Sequence, residues 1–238
     1  MNRILEVFGR PRVLLPVIHP VSRESALGGV EIAHRAGCRG VFLIDQGMSA
    51  GEVLGLLLEV RRRWPDLWVG LNLLSDEPKE ALRHALSACE GRLDGLWSDN
   101  ALIDERSTSQ PAAQQFLDAR RELGWEGLFF GGVAFKYQRP VPPEDLGRAA
   151  STAAPYMDVI CTSGPGTGYA AEAGKVATMR SGVGPSHAMA LASGVTEDNV
   201  ADYLPYVEAY LVGTSLEVSL GTLDPARVER LRVAIEGA

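Results

Sequence analysis

The sequence predicts one domain, spanning residues 1–238, with the (β/α)8 or TIM-barrel fold. Eight short apolar or β-branched runs alternate with segments of helical spacing, and 238 residues suit one such barrel. No linker-like stretch or internal repeat interrupts the alternation. Parallel strands need crossover helices and a closed sheet has no edges, so a barrel is favoured over the alternative, an open doubly wound sheet. Residues 13–18 and 209–212 must then pair in parallel.

The first four strand and helix pairs follow from hydrophobic period and from stop signals. Strands are predicted at 13–18, 40–44, 68–71 and 95–97. The first helix covers 26–36, and the second is capped by Ser49 and Glu52 and stopped by Pro65. The third helix lies between Pro78 and Gly91, and the fourth ends at Gly124.

The last four pairs follow the same rules. Strands are predicted at 127–133, 159–161, 187–192 and 209–212. Helices are predicted after Pro143, at 172–179, at 197–206, and after Asp224, which precedes Pro225.

Composition narrows the classes of function. Hydrophobic residues make up 46% of the chain and charged residues 22%, which is typical of a folded globular protein. The net charge of −7 argues against a general nucleic-acid or anionic-membrane surface. No apolar run is long enough to insert into a membrane, so a cytoplasmic location is expected. Three widely spaced cysteines indicate neither disulfides nor a zinc site, and no cofactor or metal is expected; homo-oligomerisation is left open.

Polar or glycine residues follow nearly every predicted strand. In a parallel barrel these positions share the C-terminal face, where active sites lie. Any one of them is explained by capping or strand termination, but together they predict a site. The candidates are His19, Asp45, Asn72, Asp99, Lys136, Thr162, Ser163, Ser193, Gly194, Gly213, Thr214 and Ser215.

Two glycine-containing strand ends predict a phosphate site. Ser193-Gly194 follows strand seven and Gly213-Thr214-Ser215 follows strand eight, where barrels often bind phosphate. Glycine lets main-chain N–H groups approach an anion, and a short helix at 215–220 is expected to add its positive N-terminus. Two ordinary tight turns are the alternative.

The segment 163–169 is glycine-rich and includes Gly166 among the candidate substrate-binding residues. It lacks the G-K-[ST] ending of a nucleotide P-loop and the G-x-G-x-x-G spacing of a dinucleotide-binding turn. A mobile lid over the barrel mouth is one interpretation, and a flexible connection without a ligand is the other.

The candidate catalytic residues are His19, Asp45, Asp99 and Lys136. The first three are acid, base or electrostatic groups. Lys136, one of three lysines, is predicted to act as a cation toward an anionic substrate and not as a Schiff-base amine, because carboxylates at the same face favour its charged form.

Several segments resemble the BtpA family of photosystem I biogenesis and SgcQ-like proteins. They are TSGPGTGYAAEAGKV, ASGVTEDNV and VGTSLEVSLGTLDPARVERL in the last third, with VIHP, GLNLLSDEP and FKYQRPVPPEDLGRAA before them. LIDQGMS and LWSDNAL depart from the family pattern. The resemblance implies a barrel with phosphate-type loops, and an assembly role in one branch of the family.

Three functions are therefore carried forward. The leading one is an enzyme binding a small phosphorylated metabolite, of phosphosugar or phosphoribosyl type, with lyase or isomerase chemistry. A noncatalytic assembly or regulatory factor of the BtpA type is the alternative. A metal-assisted hydrolase using His19 and Asp45 ranks third.

Overall fold

A computed structural model describes residues 2–89 and 91–237, and these contain a closed barrel of eight parallel strands. The strands are β1 (Val13–Ile18), β2 (Gly40–Ile44), β3 (Trp68–Asn72), β4 (Gly95–Ser98), β5 (Leu128–Gly132), β6 (Val159–Ser163), β7 (Ala188–Ala192) and β8 (Ala209–Val212). β1 pairs in parallel with β8, from Val13 opposite Ala209 to Pro16 opposite Val212. The predicted TIM-barrel fold and its closure are confirmed.

Several of the helices begin at residues whose side chains cap them. They are α1 (Arg3–Phe8), α2 (Arg23–Arg35), α3 (Ala50–Arg63), α4 (Pro78–Ala88), α5 (Pro111–Glu122), α6 (Leu146–Ala153), α7 (Ala173–Val183) and α8 (Pro225–Glu236). Ser49 and Glu52 form the predicted reciprocal capping box, and Asp224 accepts hydrogen bonds from the first turn of α8. Within residues 2–89 and 91–237, no helix has the length and apolar character needed to cross a membrane.

The predicted helix at 197–206 is wrong. The connection from β7 to β8 contains only a 3₁₀ turn, Val200–Asp202. Asn199 explains the difference, because its side chain accepts from the Thr196 N–H and donates to the Gly194 carbonyl. Such local side-chain bonds compete with helical hydrogen bonds.

The prediction of a short helix at 215–220 is also wrong. A 3₁₀ turn, Thr214–Leu216, is followed by an antiparallel hairpin of β9 (Glu217–Ser219) and β10 (Thr222–Leu223). Gly221 has a φ of +76°, the left-handed conformation that a tight reversal needs.

The barrel interior is packed with aromatic rings on one side and small residues on the other. The Phe42 ring lies edge-on to Trp68, Trp97 and Phe130, with centroid separations of 5.2, 5.6 and 5.2 Å. Alanines of β7 and β8 line the opposite wall. α1, which the sequence analysis did not predict, closes the N-terminal end with its buried residues Ile4 and Phe8.

We expect Phe42→Ala to lower the free energy of unfolding by about 3–5 kcal/mol, because it removes the ring on which three others pack. Phe42 is fully buried, whereas Leu5 on α1 is 50% exposed. Leu5→Ala is the matched control and should stay within about 0.5 kcal/mol of wild type in guanidinium titrations. Equal losses for the two variants would contradict this account of the core.

Candidate functional site

The C-terminal end of the barrel gathers the strand-end residues around one mouth. Along a barrel strand, inward positions alternate with positions that face the helices. Val17 and Trp97 pack in the interior, and two residues beyond them lie His19 and Asp99. Asn72 is opposite Ile44, which also packs inside. The alternation therefore directs His19, Asn72 and Asp99 toward the mouth.

His19 is held by Glu217, a residue that the sequence analysis did not single out. His19 Nδ1 lies 2.9 Å from Glu217 Oε1, and each residue is only 8% exposed. The N–H of Gly221 also donates to Glu217 Oε1. A carboxylate oxygen accepts, so in this hydrogen bond Nδ1 is the donor, and Nε2 takes no part in the contact with Glu217. Glu217 lies in the segment that was expected to form a short helix, and Gly221, four residues later, is the sequence signal for the hairpin found there.

Gly213 is required by the position of His19. A Cβ atom at residue 213 would overlap His19 Cε1. Because residue 213 has no side chain, the imidazole of His19 can lie across the end of β8. The role of Gly213 in an anion site stays a prediction.

Asp99 sits in a partly desolvated environment. Asn72, 1% exposed, donates from Nδ2 to Asp99 Oδ1 at 3.1 Å, and Gln138 donates to the Asp99 carbonyl. Burial raises the pKa of Asp99, while the charge of Lys136 and the Asn72 hydrogen bond lower it. Asn72 and Asp99 line a cavity of about 230 Å³ between the loops that follow β3 and β4.

Lys136 links the loops that follow β5, β6 and β7. Its Nζ donates to Ser193 Oγ at 3.2 Å and to Thr167 Oγ1 at 3.3 Å, and its main-chain N–H donates to Ser163 Oγ at 2.9 Å. The Nζ also lies over the Tyr137 ring, 6.0 Å from its centroid. The Nζ therefore lies among hydroxyl groups at the mouth, and its electrostatic role stays a prediction.

The glycine-rich segment 163–169 lies against the loop after β7. A Cβ at Gly194, whose φ is +68°, would overlap the Tyr169 carbonyl. Gly166 is buried beside the Tyr169 ring, and the Thr167 N–H donates to Tyr137 Oη at 3.2 Å. The loop covers this side of the mouth, and its mobility stays a prediction.

The loops after β7 and β8 carry main-chain donors but no helix N-terminus. Among residues 2–89 and 91–237, the N–H groups of Gly194, Thr214 and Ser215 donate no hydrogen bond. The Ser215 hydroxyl donates to the Val195 carbonyl at 2.6 Å, joining the two loops, while Thr214 is exposed. An anion here would meet N–H groups without the expected helix dipole.

Asp45 and Thr162 make contacts of a different kind. Asp45 Oδ1 accepts from the Leu74 N–H at 2.7 Å, and the fully buried Thr162 donates to the Ala134 carbonyl at 3.3 Å. These contacts fix loops. In the described part of the chain, no group of three or more His, Cys, Asp or Glu side chains is arranged to hold a metal ion.

Lys175 is a second, partly buried lysine at the mouth that was not among the predicted site residues. Its Nζ donates to the Ala134 carbonyl at 2.5 Å and to the Ser163 carbonyl at 2.7 Å. Burial lowers its pKa to about 8, while Glu172 and Cys161 act in the opposite direction. Its signal in the sequence was only that the chain has three lysines.

No protein-family model matches the chain, and the curated proteins give no match. Solved structures are similar in fold. Phosphoribosyl anthranilate isomerase from Thermus thermophilus is 14% identical with a TM-score of 0.61, covering 92% of this chain and 96% of its own. Orotidine 5′-monophosphate decarboxylase from Methanocaldococcus jannaschii, in complex with the inhibitor BMP, is 11% identical with a TM-score of 0.65. The match covers 95% of this chain and 99% of that one. Tryptophan synthase from Mycobacterium tuberculosis is 15% identical with a TM-score of 0.66, and the match covers 99% of this chain and 99% of that one.

We expect Asp99→Asn to stabilise the fold at pH 7 and to lose this advantage near pH 3. The native-state pKa is raised, so the native state binds its proton more tightly than the unfolded chain does. Above its native-state pKa, the partly buried carboxylate of Asp99 is ionised and lowers the free energy of unfolding. Below the pKa of Asp99 in the unfolded chain, both states are protonated and this cost is absent. Asn keeps an oxygen that accepts from Asn72. Melting temperatures across this range test the sign, with the exposed Asp198→Asn as control; a gain that is equal at both pH values would contradict the desolvation.

Proposed function

We propose that this protein is an enzyme that binds a small phosphorylated metabolite, of phosphosugar or phosphoribosyl type, and acts on it by lyase or isomerase chemistry. The observation that carries the proposal is the position of Lys136, whose ammonium lies among the Ser193 and Thr167 hydroxyls. Ser193 adjoins Gly194, whose N–H is among the unused main-chain donors. An ammonium, hydroxyls and N–H groups are the groups that bind a phosphate.

Within this proposal the phosphate lies between Lys136 and the loops after β7 and β8. Gly194, Gly213, Thr214 and Ser215 supply main-chain N–H groups, as in the sequence-based prediction. Lys136 supplies the charge that a helix N-terminus was expected to add. The reacting part of the ligand then extends across the mouth toward His19 and Asp99.

In this proposal, His19 accepts a proton from the substrate and Asp99 donates one to it. His19, oriented by Glu217, presents Nε2 as a base. Asp99 has a raised pKa because of burial and serves as the acid. An acid and a base at the same barrel mouth are suited to moving a proton between two positions of a substrate.

The structural neighbours support the class of ligand by analogy. One phosphoribosyl anthranilate isomerase is in complex with reduced 1-(o-carboxyphenylamino)-1-deoxyribulose 5-phosphate, and is 14% identical with a TM-score of 0.63. Barrels of one shape carry many activities, so this likeness favours a phosphorylated ligand without naming it. Membership of the BtpA family stays a proposal that rests on the segments quoted above.

The first test measures phosphate binding. Ribose 5-phosphate or inorganic phosphate at about 100 times its dissociation constant should stabilise the fold by about 2.7 kcal/mol, a melting shift of several degrees. Lys136→Met should lose most of the shift and Lys136→Arg should keep part of it, because arginine retains the charge. Lys79→Met, on α4, is the control. An undiminished shift in Lys136→Met would remove this residue from the anion site.

The second test measures turnover. Purified protein is incubated with a panel of phosphosugars and phosphoribosyl compounds, and products are followed by ³¹P NMR. His19→Asn should lower kcat by about 10²- to 10⁴-fold and leave the phosphate-induced melting shift unchanged. His34→Asn, an exposed change on α2, is the matched control. Binding without turnover of any compound, together with an assembly defect on deletion, would favour the noncatalytic factor.

A further inference from the structure

A second feature of the mouth is a cavity of about 460 Å³ between the loops that follow β5 and β6. Its lining includes Lys136, Tyr137, Arg139, Glu172 and Lys175. Lys136 belongs both to this cavity and to the proposed phosphate site, so the two spaces adjoin. The volume is in the range of sites that hold small molecules.

Lys175 reaches this cavity from α7 with its amine already oriented. Two main-chain carbonyls, of Ala134 and Ser163, accept from Nζ at 2.5 and 2.7 Å. A neutral primary amine has two N–H groups and one lone pair. When both N–H groups are given to these carbonyls and the third bond goes to Cε, a single tetrahedral direction is left for the lone pair.

We propose that Lys175 is an imine-forming lysine whose amine adds to the aldehyde or ketone carbon of a small anionic ligand bound in this cavity. Lys136 lines the same space and suits the anionic group, whereas the guanidinium of Arg139, which also lines it, is already paired with Glu105. The inference goes beyond the proposed function, because imine formation uses neither His19 nor Asp99. It also differs from the role of Lys136, which remains electrostatic.

The reaction balances without a redox partner. The nitrogen lone pair forms a C–N bond to the carbonyl carbon, and the carbonyl oxygen takes one proton from the nitrogen. The C–O bond then breaks, the hydroxyl takes the second nitrogen proton and leaves as water, and the C=N bond of the imine forms. No oxidant, reductant or metal is required.

The environment of Lys175 supports this chemistry. Burial lowers its pKa from 10.5 to about 8, which near pH 7.5 gives on the order of 100-fold more unprotonated amine than an ordinary lysine has. The charged and titratable groups around it are Glu172 and Cys161, which oppose the shift, with Lys136 and Arg139 lining the cavity. A lysine that served only to join the two loops would need none of this reactivity.

The test uses pyridoxal 5′-phosphate as the probe, because it combines an aldehyde with a phosphate, and pyridoxal as the arm without the anion. The folded protein is incubated with one equivalent, reduced with borohydride and analysed by peptide mass spectrometry. The chain has only Lys79, Lys136 and Lys175. We expect the reduced adduct on Lys175, with pyridoxal 5′-phosphate reacting faster than pyridoxal.

The variants separate a nucleophile from a structural contact. Lys175→Arg keeps a cation that can donate to both carbonyls but cannot form the imine, so it should lose the adduct while the phosphate-induced melting shift remains. Lys79→Arg, at the start of α4, should retain the adduct. If Lys175→Arg does not fold, the position of the adduct in wild type and its pH dependence decide the question without it.

The initial rate in wild type should rise between pH 7 and pH 9 with a midpoint near 8, following the unprotonated fraction of Lys175. Adduct on Lys136 or Lys79 with Lys175 unmodified would overturn the proposal. So would equal labelling of wild type and Lys175→Arg, or a rate that does not follow this pH range.

Discussion

Closure of the barrel between β1 and β8 is the constraint on which the site depends. The register from Val13 opposite Ala209 to Pro16 opposite Val212 brings residue 19 to the end of β8. His19 can occupy that place only because residue 213 has no side chain. The hairpin after β8 then returns Glu217 to His19 Nδ1. Residues separated by almost the whole chain therefore form one buried pair, and an open sheet would leave them apart.

The strands were predictable because they depend on local patterns. Each strand is a short apolar run. The helices that follow Ser49 and Asp224 are capped by these residues themselves, which are adjacent in sequence to the first turn. The connection from β7 to β8 was not predictable in this way. Its apolar spacing resembles a helix, but Asn199 bonds to the main chain at Thr196 and Gly194, and Tyr203 Oη donates to the Ala171 carbonyl of another loop. A helical period in the sequence indicates which residues are buried. An irregular loop can bury the same residues, so the period alone did not identify a helix here.

The site was predictable as a set of positions and not as a set of contacts. The rule that active-site residues follow barrel strands correctly selects His19, Asn72, Asp99 and Lys136 as residues near the mouth. It selects Asp45 and Thr162 equally, although their side chains bond to the main chain of loops. It cannot find Glu217 or Lys175, since Glu217 lies in a hairpin and Lys175 in a helix. Which polar group meets which depends on the path of each loop, and that path is set by tertiary packing.

The two lysines at the mouth have different hydrogen-bond partners, and the roles proposed for them differ accordingly. Lys136 donates to hydroxyl groups and lies near Asp99, whose pKa its charge helps to lower. That arrangement is the basis of the anion-binding role proposed for Lys136. Lys175 is buried against two carbonyls, and desolvation lowers its pKa to about 8. The carbonyls orient the amine whether it is charged or neutral, so its nucleophilic form loses no contact when the proton leaves. A ligand with a phosphate at one end and a carbonyl group at the other would use both lysines, the first for binding and the second for bond formation.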